Sequence, residues 1–325
     1  MREITYREAV REALIHALEE DERVFLAGED IGLWNGCFAV TEGLMDRFGS
    51  QRIKDTPLSE GAIVGIGVGA SAVGMRPVVE IMETDFTAVA FDVIINQAAK
   101  MHYMFGGRIK LPFVLRTVNT GGGNGAAQHS QSLEALFAHI PGLKVVMPGS
   151  AYDAKGLLLS AIDEPNPVIF IEHSMLYGLK EDVPEEAYRI PLGKAHVKKE
   201  GKDLTLVAWS YTLPIAMKAA EDLQAEGIEA EVIDLRTISP FDRDTVLESV
   251  KKTHRLLIVQ EAVNQGGFGS EIAAVVAEEA IEYLDAPIRR LTSPFAPVPF
   301  SPALVEHFYV SKGDVVKAAK AMVAY

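Results

Sequence analysis

At 325 residues, 48% hydrophobic and 23% charged, the chain has the composition of a soluble globular protein and the length for two domains, each with its own core. A formal net charge of −14 excludes a general nucleic-acid binder, because neutralising phosphates needs clustered Lys and Arg, and suits a basic protein partner instead. The single cysteine, Cys37, excludes an internal disulfide and a cysteine-based zinc site, which makes a reducing, cytoplasmic location the default.

The N-terminus, MREITYREAVREAL, is charged and helical in period, so it reads as neither a signal nor a transit peptide. Thr5 with Glu8 forms a capping box, and Tyr6, Ala9, Val10, Ala13, Leu14, Ala17 and Leu18 fall on one helical face. Strands are expected at Val24–Ala27, Pro77–Met82, Pro112–Thr117, Lys144–Met147 and Pro167–Glu172. Helices are expected around Gly61–Val73, Asp92–Phe105, Leu133–His139 and Ala151–Ile162. The longest uncharged run, Gly61 to Met75, falls short of the roughly 20 apolar residues of a membrane span and reads as a buried helix. Continuous apolar strands separated by helices indicate a parallel sheet covered on both faces.

From about 176 to 202 the pattern fails in a stretch rich in charge and proline, which reads as an interdomain linker. The alternation then restarts with strand Leu204–Trp209, helix Leu213–Glu226 closed by Gly227, strand Ala230–Leu235, helix Asp242–Thr253, strand Arg255–Gln260, helix Ser270–Leu284 and strand Ile288–Thr292. A proline-rich stretch and a last helix complete the chain. The expected organisation is therefore α/β, two doubly wound domains, residues 1–175 and 203–325, joined by 176–202.

Four strand ends of the first half carry groups with chemistry. TGGGNGAAQHSQS, residues 120–132, follows the Pro112–Thr117 strand, yet it lacks the Lys-Ser/Thr pair of a P-loop and the Gly-x-Gly-x-x-Gly of a dinucleotide loop. A flexible crossing loop and a phosphate cradle both remain open for it. His129 ends this loop before an expected Ser132 N-cap. It stands where open α/β sheets place their sites, though a loop histidine is often merely structural. The other seven histidines form no metal-ligand spacing. Gly61, Gly65 and Gly69 recur every four residues, leaving bare backbone that another helix can approach, and Glu60 stands at that helix's start as a dipole partner or a functional carboxylate. Glu29 and Asp30 follow one strand; Glu83, Asp85 and Phe86 follow another.

The motifs GEDIG, DTPLSEGAIVGIGVGAS, AAQHSQSLEALFAHIPGLKVVMPGSAYDAKGLL, NPVIFIEH and EVIDLRTISPFD resemble, in order and over nearly the whole chain, the beta subunit of the thiamine-diphosphate-dependent decarboxylating component of 2-oxo acid dehydrogenase complexes. The resemblance implies a pyrimidine-binding, transketolase-like first domain and a transketolase C-terminal-like second one. It further implies an α2β2 heterotetramer whose alpha subunit holds the diphosphate and Mg²⁺ through a Gly-Asp-Gly motif. This chain has no such motif, its Gly-Asp occurring only in KGDVV near the C-terminus. Glu60 matches the glutamate that hydrogen-bonds the pyrimidine ring nitrogen, where protonation leads to loss of the thiazolium C2 proton. Phe86 matches the aromatic position packed on that ring. Glu29, Leu58 and Met82 match further lining positions. His129 matches a histidine that positions, or exchanges protons with, the lipoyl arm during acyl transfer. Phe113, Ala161, Ile162, Glu164 and Asn166 match a backbone potassium site of some members.

AAQHSQ and YMFGG resemble the pyruvate and acetoin branches more than the branched-chain branch, while Met82-Glu83-Thr84-Asp85 is unusually acidic and Val93 replaces a frequent glutamine. The implied activity is pyruvate dehydrogenase-type: decarboxylation of a 2-oxo acid and acyl transfer to lipoyl groups. Acetoin and branched-chain substrates are the alternatives. The implied partners are the alpha subunit and the acyltransferase component, docked through its small basic subunit-binding domain. A stand-alone transketolase-like enzyme would need a diphosphate-binding domain that the chain lacks. A non-catalytic Rossmann-like scaffold would explain the sheet pattern but leave Glu60, Phe86 and His129 at motif positions by coincidence.

Overall fold

A computed structural model describes residues 2–123 and 125–325. In the first half, β1 (Arg2–Thr5) leads into α1 (Tyr6–Glu20), which the Thr5 and Glu8 side chains cap reciprocally. There follow β2 (Val24–Glu29), α2 (Leu44–Phe48), β3 (Ile53–Thr56), α3 (Glu60–Ala72) and β4 (Arg76–Glu80). A 3₁₀ turn at Thr84–Ala90 and a π turn at Val93–Ala98 come before α4 (Met101–Met104), β5 (Val114–Asn119), α5 (Glu134–Ala138), β6 (Lys144–Val146), α6 (Ala151–Asp163) and β7 (Val168–His173). The continuous helix expected over Asp92–Phe105 is thus broken: β-branched Val93, Ile94 and Ile95 lie in a wider π turn, and only the short α4 follows.

The stretch 176–202 is not featureless. Its β8 (Lys180–Val183) pairs antiparallel with β1, and β9 (His196–Lys199) pairs antiparallel with a strand of the second half. That half continues with β10 (Leu204–Ala208), α7 (Thr212–Ala225), β11 (Ala230–Asp234), β12 (Thr237–Ser239), α8 (Arg243–Thr253), β13 (Leu256–Val263), α9 (Gly269–Glu279), β14 (Arg289–Ser293), α10 (Pro302–Val305) and α11 (Lys312–Val323). Its five-stranded sheet runs β14-β13-β10-β11-β9. The first sheet has seven strands in the order β12-β6-β7-β5-β4-β2-β3, parallel throughout except for β12, which crosses over from the second half to lie antiparallel on β6.

Burial explains the layering. One face of the first sheet packs through Val78, Val114 and Phe170 against α1 and α6. The other packs through Val79, Phe113 and Ile169 against α3, and this core runs on without a break into Trp209, Ile233, Ile258 and Ile272 of the second half. A third cluster joins α7 and α11 to the outer face of the second sheet. On the α1 side, three neighbouring strands bury a charged triad. Arg116 lies 2.5 Å from Glu80 and 2.7 Å from Glu172, and the Tyr177 hydroxyl donates to Glu172 at 2.9 Å.

The helix expected to be buried, α3, is buried on one side only. Ile63, Val64, Gly67 and Val68 face the sheet, whereas Ile66 and Val73 are exposed, and a Cβ on Gly65 or Gly69 would meet open space. Gly67 is different: a Cβ there would lie 2.5 Å from the Phe113 ring and 2.8 Å from Val79. Gly67→Ala is therefore expected to lower stability by about 1–3 kcal/mol through overpacking, more than the roughly 1 kcal/mol of helix propensity that alanine adds. Gly69→Ala should be neutral or stabilising. Denaturant titration of the two variants checks both.

Candidate active site

β5, β4, β2 and β3 are consecutive neighbours, all parallel, so their C-terminal ends open at one edge of the sheet. At about 4.8 Å between strands, these four ends span roughly 14 Å, the scale of a small-molecule site. Glu29 stands at the end of β2, half-buried. Burial, then the charges of Asp30 and Glu60, push its carboxyl above the ordinary glutamate value. The following loop is pinned by Asp55, whose carboxylate accepts the backbone N–H of Gly32 at 2.6 Å and of Leu33 at 3.0 Å. This leaves the Leu33 and Trp34 side chains 78% and 75% exposed.

After β3, Leu58 is 71% exposed. Ser59 makes no side-chain cap, so the first N–H groups of α3 stay available where Glu60, its first residue, begins the helix. After β4, Met82 is half-buried with its sulfur 3.5 Å from Cys37 Sγ. One carboxylate oxygen of Glu83 is buried with no partner. Burial raises its pKa, His129 opposes the rise and Asp85 adds to it. Phe86, in the 3₁₀ turn, meets the His129 ring edge-on with centroids 5.2 Å apart. Glu29, Leu58, Glu60, Met82, Phe86 and His129 thus all stand on these four neighbouring strand ends.

The glycine loop leads into a firmly held histidine segment. No Lys or Arg lies between Val118 and Leu143, so the phosphate reading gains nothing here. Gly122 turns the chain at φ +79°, a left-handed conformation that favours glycine; Asn124 of the quoted motif lies outside the described residues. Four consecutive residues are then tied down. Thr120 donates its hydroxyl to the His129 carbonyl, and the Tyr309 hydroxyl donates to the Ser130 carbonyl at 3.4 Å. The Gln131 amide donates to Asp85 at 2.6 Å, and the Ser132 hydroxyl donates to Glu261 at 2.7 Å. Ser132 is therefore not the N-cap expected for α5, because its hydroxyl is committed across the domain boundary. Leu133 takes the cap position without a side-chain bond.

Sequence reasoning missed the buried polar cluster behind this loop. His173, at the end of β7, faces Glu261, on β13, with Nε2 2.6 Å from the carboxylate and its ring stacked on Tyr211. Glu134 is fully buried with neither carboxylate oxygen hydrogen-bonded. Burial, opposed by its own backbone N–H and the Trp209 indole and reinforced by the nearby Glu261 charge, pushes its pKa up to about 7. The available signal was the strand-end rule itself, applied to IEH and QEA as it was to GED.

Residues matched to a potassium site gather where α6 gives way to β7. The Phe113 carbonyl accepts from Val168 N–H at 2.9 Å, and the Ile162 carbonyl accepts from the Arg76 guanidinium at 2.7 Å. Glu164 pairs with Lys144 at 2.6 Å and accepts from Asn166 at 2.8 Å. Ala161 lies buried in the last turn of the helix. Among the described residues no group of three or more His, Cys, Asp or Glu could hold a metal ion, and no helix is long and apolar enough to cross a membrane.

The chain matches the family models described as transketolase, pyrimidine binding domain, over residues 2–180, and transketolase, C-terminal domain, over residues 193–315. A solved structure titled split gene transketolase, inactive beta4 tetramer, superposes with a TM-score of 0.82 at 27% identity, covering 99% of this chain and 98% of that one. Fold and strand-end site together define a tandem domain pair of the transketolase class. Among curated relatives, the pyruvate dehydrogenase E1 component subunit beta of Rickettsia felis is 47% identical, with 99% of each chain covered. The acetoin:2,6-dichlorophenolindophenol oxidoreductase subunit beta of Bacillus subtilis is 45% identical, with 97% of this chain and 96% of that protein covered. The chain belongs to the family of beta subunits of thiamine-diphosphate-dependent 2-oxo acid dehydrogenases.

Glu134 supplies a pH-dependent prediction. The folded chain keeps its proton to about pH 7, whereas the unfolded chain releases it near 4.5. Stability therefore falls as pH rises between these values, by about 1.4 kcal/mol per unit. Glu134→Gln keeps a neutral group of similar shape and removes that slope. Its unfolding free energy is expected to gain about 3 kcal/mol on the wild type between pH 4.5 and pH 7, measured by urea denaturation across that range.

Proposed function

We propose that this chain is the beta half of an enzyme that decarboxylates pyruvate or a close 2-oxo acid and passes the acyl group to a lipoyl arm. A complementary alpha chain in an α2β2 assembly is required for activity. The observation that carries this reading is a strand-end site with carboxylates, an aromatic ring and an imidazole but, among the described residues, no basic anchor for a diphosphate. The one Gly-Asp of the sequence, Gly313-Asp314, is used elsewhere, Asp314 closing a capping box with Ser311 at the start of α11. The exposed Leu33, Trp34 and Leu58 at this edge, and the exposed Ile66 and Val73 along α3 with its open glycine positions, support a second chain covering the edge and the outer face of α3. The solved relative, a beta chain alone, is titled inactive. Relatives with acetoin in their name are as similar as those with pyruvate, so acetoin cleavage is the second reading.

The residues present fit a thiamine pyrimidine ring, since carboxylates, an aromatic ring and apolar side chains stand on neighbouring strand ends and one buried Glu83 oxygen has no hydrogen-bond partner. Bound thiamine diphosphate, with its Mg²⁺ held by the alpha chain, supplies a carbon nucleophile for the 2-oxo carbonyl and a sink for the electron pair left when carbon dioxide departs. Glu60 hydrogen-bonds the pyrimidine ring nitrogen and holds a proton there. Its place at the helix start would stabilise the carboxylate that remains while the proton is on the ring nitrogen. Leu58, Met82 and Phe86 bury the ring and exclude water, and Glu29 faces its polar edge. His129, exposed at the rim and braced on Phe86, positions the lipoyl arm and transfers a proton to its sulfur. A net charge of −14 supports docking of a small basic domain from the acyltransferase component, and a single cysteine suits a cytoplasmic location.

Co-expression with an alpha chain carrying the Gly-Asp-Gly motif tests this. Glu60→Gln is expected to lower thiamine-diphosphate-dependent decarboxylation by about 10²–10⁴-fold, and His129→Ala to lower lipoyl acylation more than decarboxylation. Full activity of Glu60→Gln would remove the cofactor role.

A potassium ion at the α6–β7 turn is a further part of the proposal. The set offers hard carbonyl oxygens; those of Ile162 and Phe113 each keep a second lone pair beyond the one that Arg76 or Val168 uses. Potassium is expected to raise the thermal midpoint above that in sodium at equal ionic strength. Equal midpoints would exclude the ion.

A further inference from the structure

We propose that Glu261 of the second domain is the positioning residue for His129, and that His173 orients the Glu261 carboxylate for this task. The proposal deepens the reading given above and rests on it in one respect, that His129 works at the mouth of the site.

Both ends of the histidine-bearing loop meet the same side chain. At its far end the Ser132 hydroxyl donates to Glu261 Oε1 at 2.7 Å. At its near end Gly121 packs so closely that a Cβ would lie 2.2 Å from that same oxygen and 3.2 Å from the Tyr309 ring. A side chain at 121 would displace the carboxylate from this position. The loop is thus folded around one oxygen of another domain, with His129 between its two contact points.

The second oxygen explains why the carboxylate stays in place. His173 Nδ1 accepts the Met175 N–H at 3.2 Å, so the hydrogen-bond pattern assigns the ring proton to Nε2, which donates to Glu261 Oε2 at 2.6 Å. The ring is fully buried and lies flat on Tyr211, centroids 4.7 Å apart and planes 13° from parallel. Burial works against an ionised Glu261, but the hydrogen bonds that His173 and Ser132 donate favour the carboxylate, and its pKa lies below the ordinary value. A charged acceptor with both oxygens engaged has one orientation, and it imposes that orientation on the loop. Tyr309 adds a second grip from the same domain through the Ser130 carbonyl. On the first-domain side the grip comes from Asp85 on Gln131, one residue before Phe86, against which the imidazole rests.

Two variants separate the grip from the general integrity of the domain. Ser132→Ala deletes only the donor on the loop, and Glu261→Ala deletes the acceptor. In the full chain, hydrogen exchange at the amides of 125–132 is expected to speed up at least tenfold in both variants while α1 and α6 amides keep their rates. Unchanged loop exchange in either variant overturns the proposal. In the enzyme assembled with its alpha chain, Ser132→Ala is expected to reduce lipoyl acylation at least tenfold more than decarboxylation read with 2,6-dichlorophenolindophenol. The double variant with His129→Ala should lose no more than His129→Ala alone, because a positioning residue has nothing left to position. Equal loss in the two reactions, or additive losses, assigns Glu261 a structural role only and overturns the proposal. Intact acylation in His129→Ala would instead overturn the role of His129, and the exchange rates would still decide whether Glu261 holds the loop.

Discussion

Parallel pairing of β5, β4, β2 and β3 is the constraint on which the site depends. A parallel strand must return through a crossover on a face of the sheet, so every loop that follows such a strand leaves from the same edge. Residues as far apart in sequence as Glu29 and His129 are thereby delivered to one line of strand ends. The same topology buries the strands on both faces, and the charged groups near those ends must be neutralised internally. Arg116 does this for Glu80 and Glu172. Removing either partner of such a buried pair costs about 3–5 kcal/mol, so the floor beneath the site cannot be altered one charge at a time.

Much of this was legible in the residues. The apolar runs at Val24, Val114 and Val168 have no polar alternation because both of their faces are covered, and the Thr5–Glu8 box marks the start of α1 to the residue. The short strands were not legible. Lys180–Val183 and His196–Lys199 pair antiparallel with single neighbours at sheet margins, carry charge, and look like loop until the partner strand is known. The outward face of α3 was misread for the opposite reason. Its glycines and alanines look like interior, yet in this chain Ile66, Val73 and the Gly65 and Gly69 positions face open space.

The candidate site divides in the same way. Glu60 and Phe86 announce themselves by position at the start of a helix and just past a strand. Glu261 and His173 lie 88 residues apart, and nothing local in either segment says that they meet. Ser132 shows how the two kinds of information conflict. Local rules make it a helix cap, and a long-range partner takes the hydroxyl away. Long-range contacts of this kind override local preference most readily where a site is built between domains, and here the override falls on the loop that carries the histidine.

The strand that crosses between the halves, β12, bears on how the protein can be handled. By pairing with β6 it closes one margin of the seven-stranded sheet, with the Met147 N–H also bonded to the Arg236 carbonyl at 2.8 Å. A fragment ending before Thr237 would strip that cover and leave the apolar Val145 and Val146 on an open edge, a template for strand addition by any neighbouring chain. The first domain is contiguous in the gene but is finished only by residues translated some sixty positions after its last strand, β7. Its nascent form has to wait, with one side unpaired, for the ribosome to supply the missing piece.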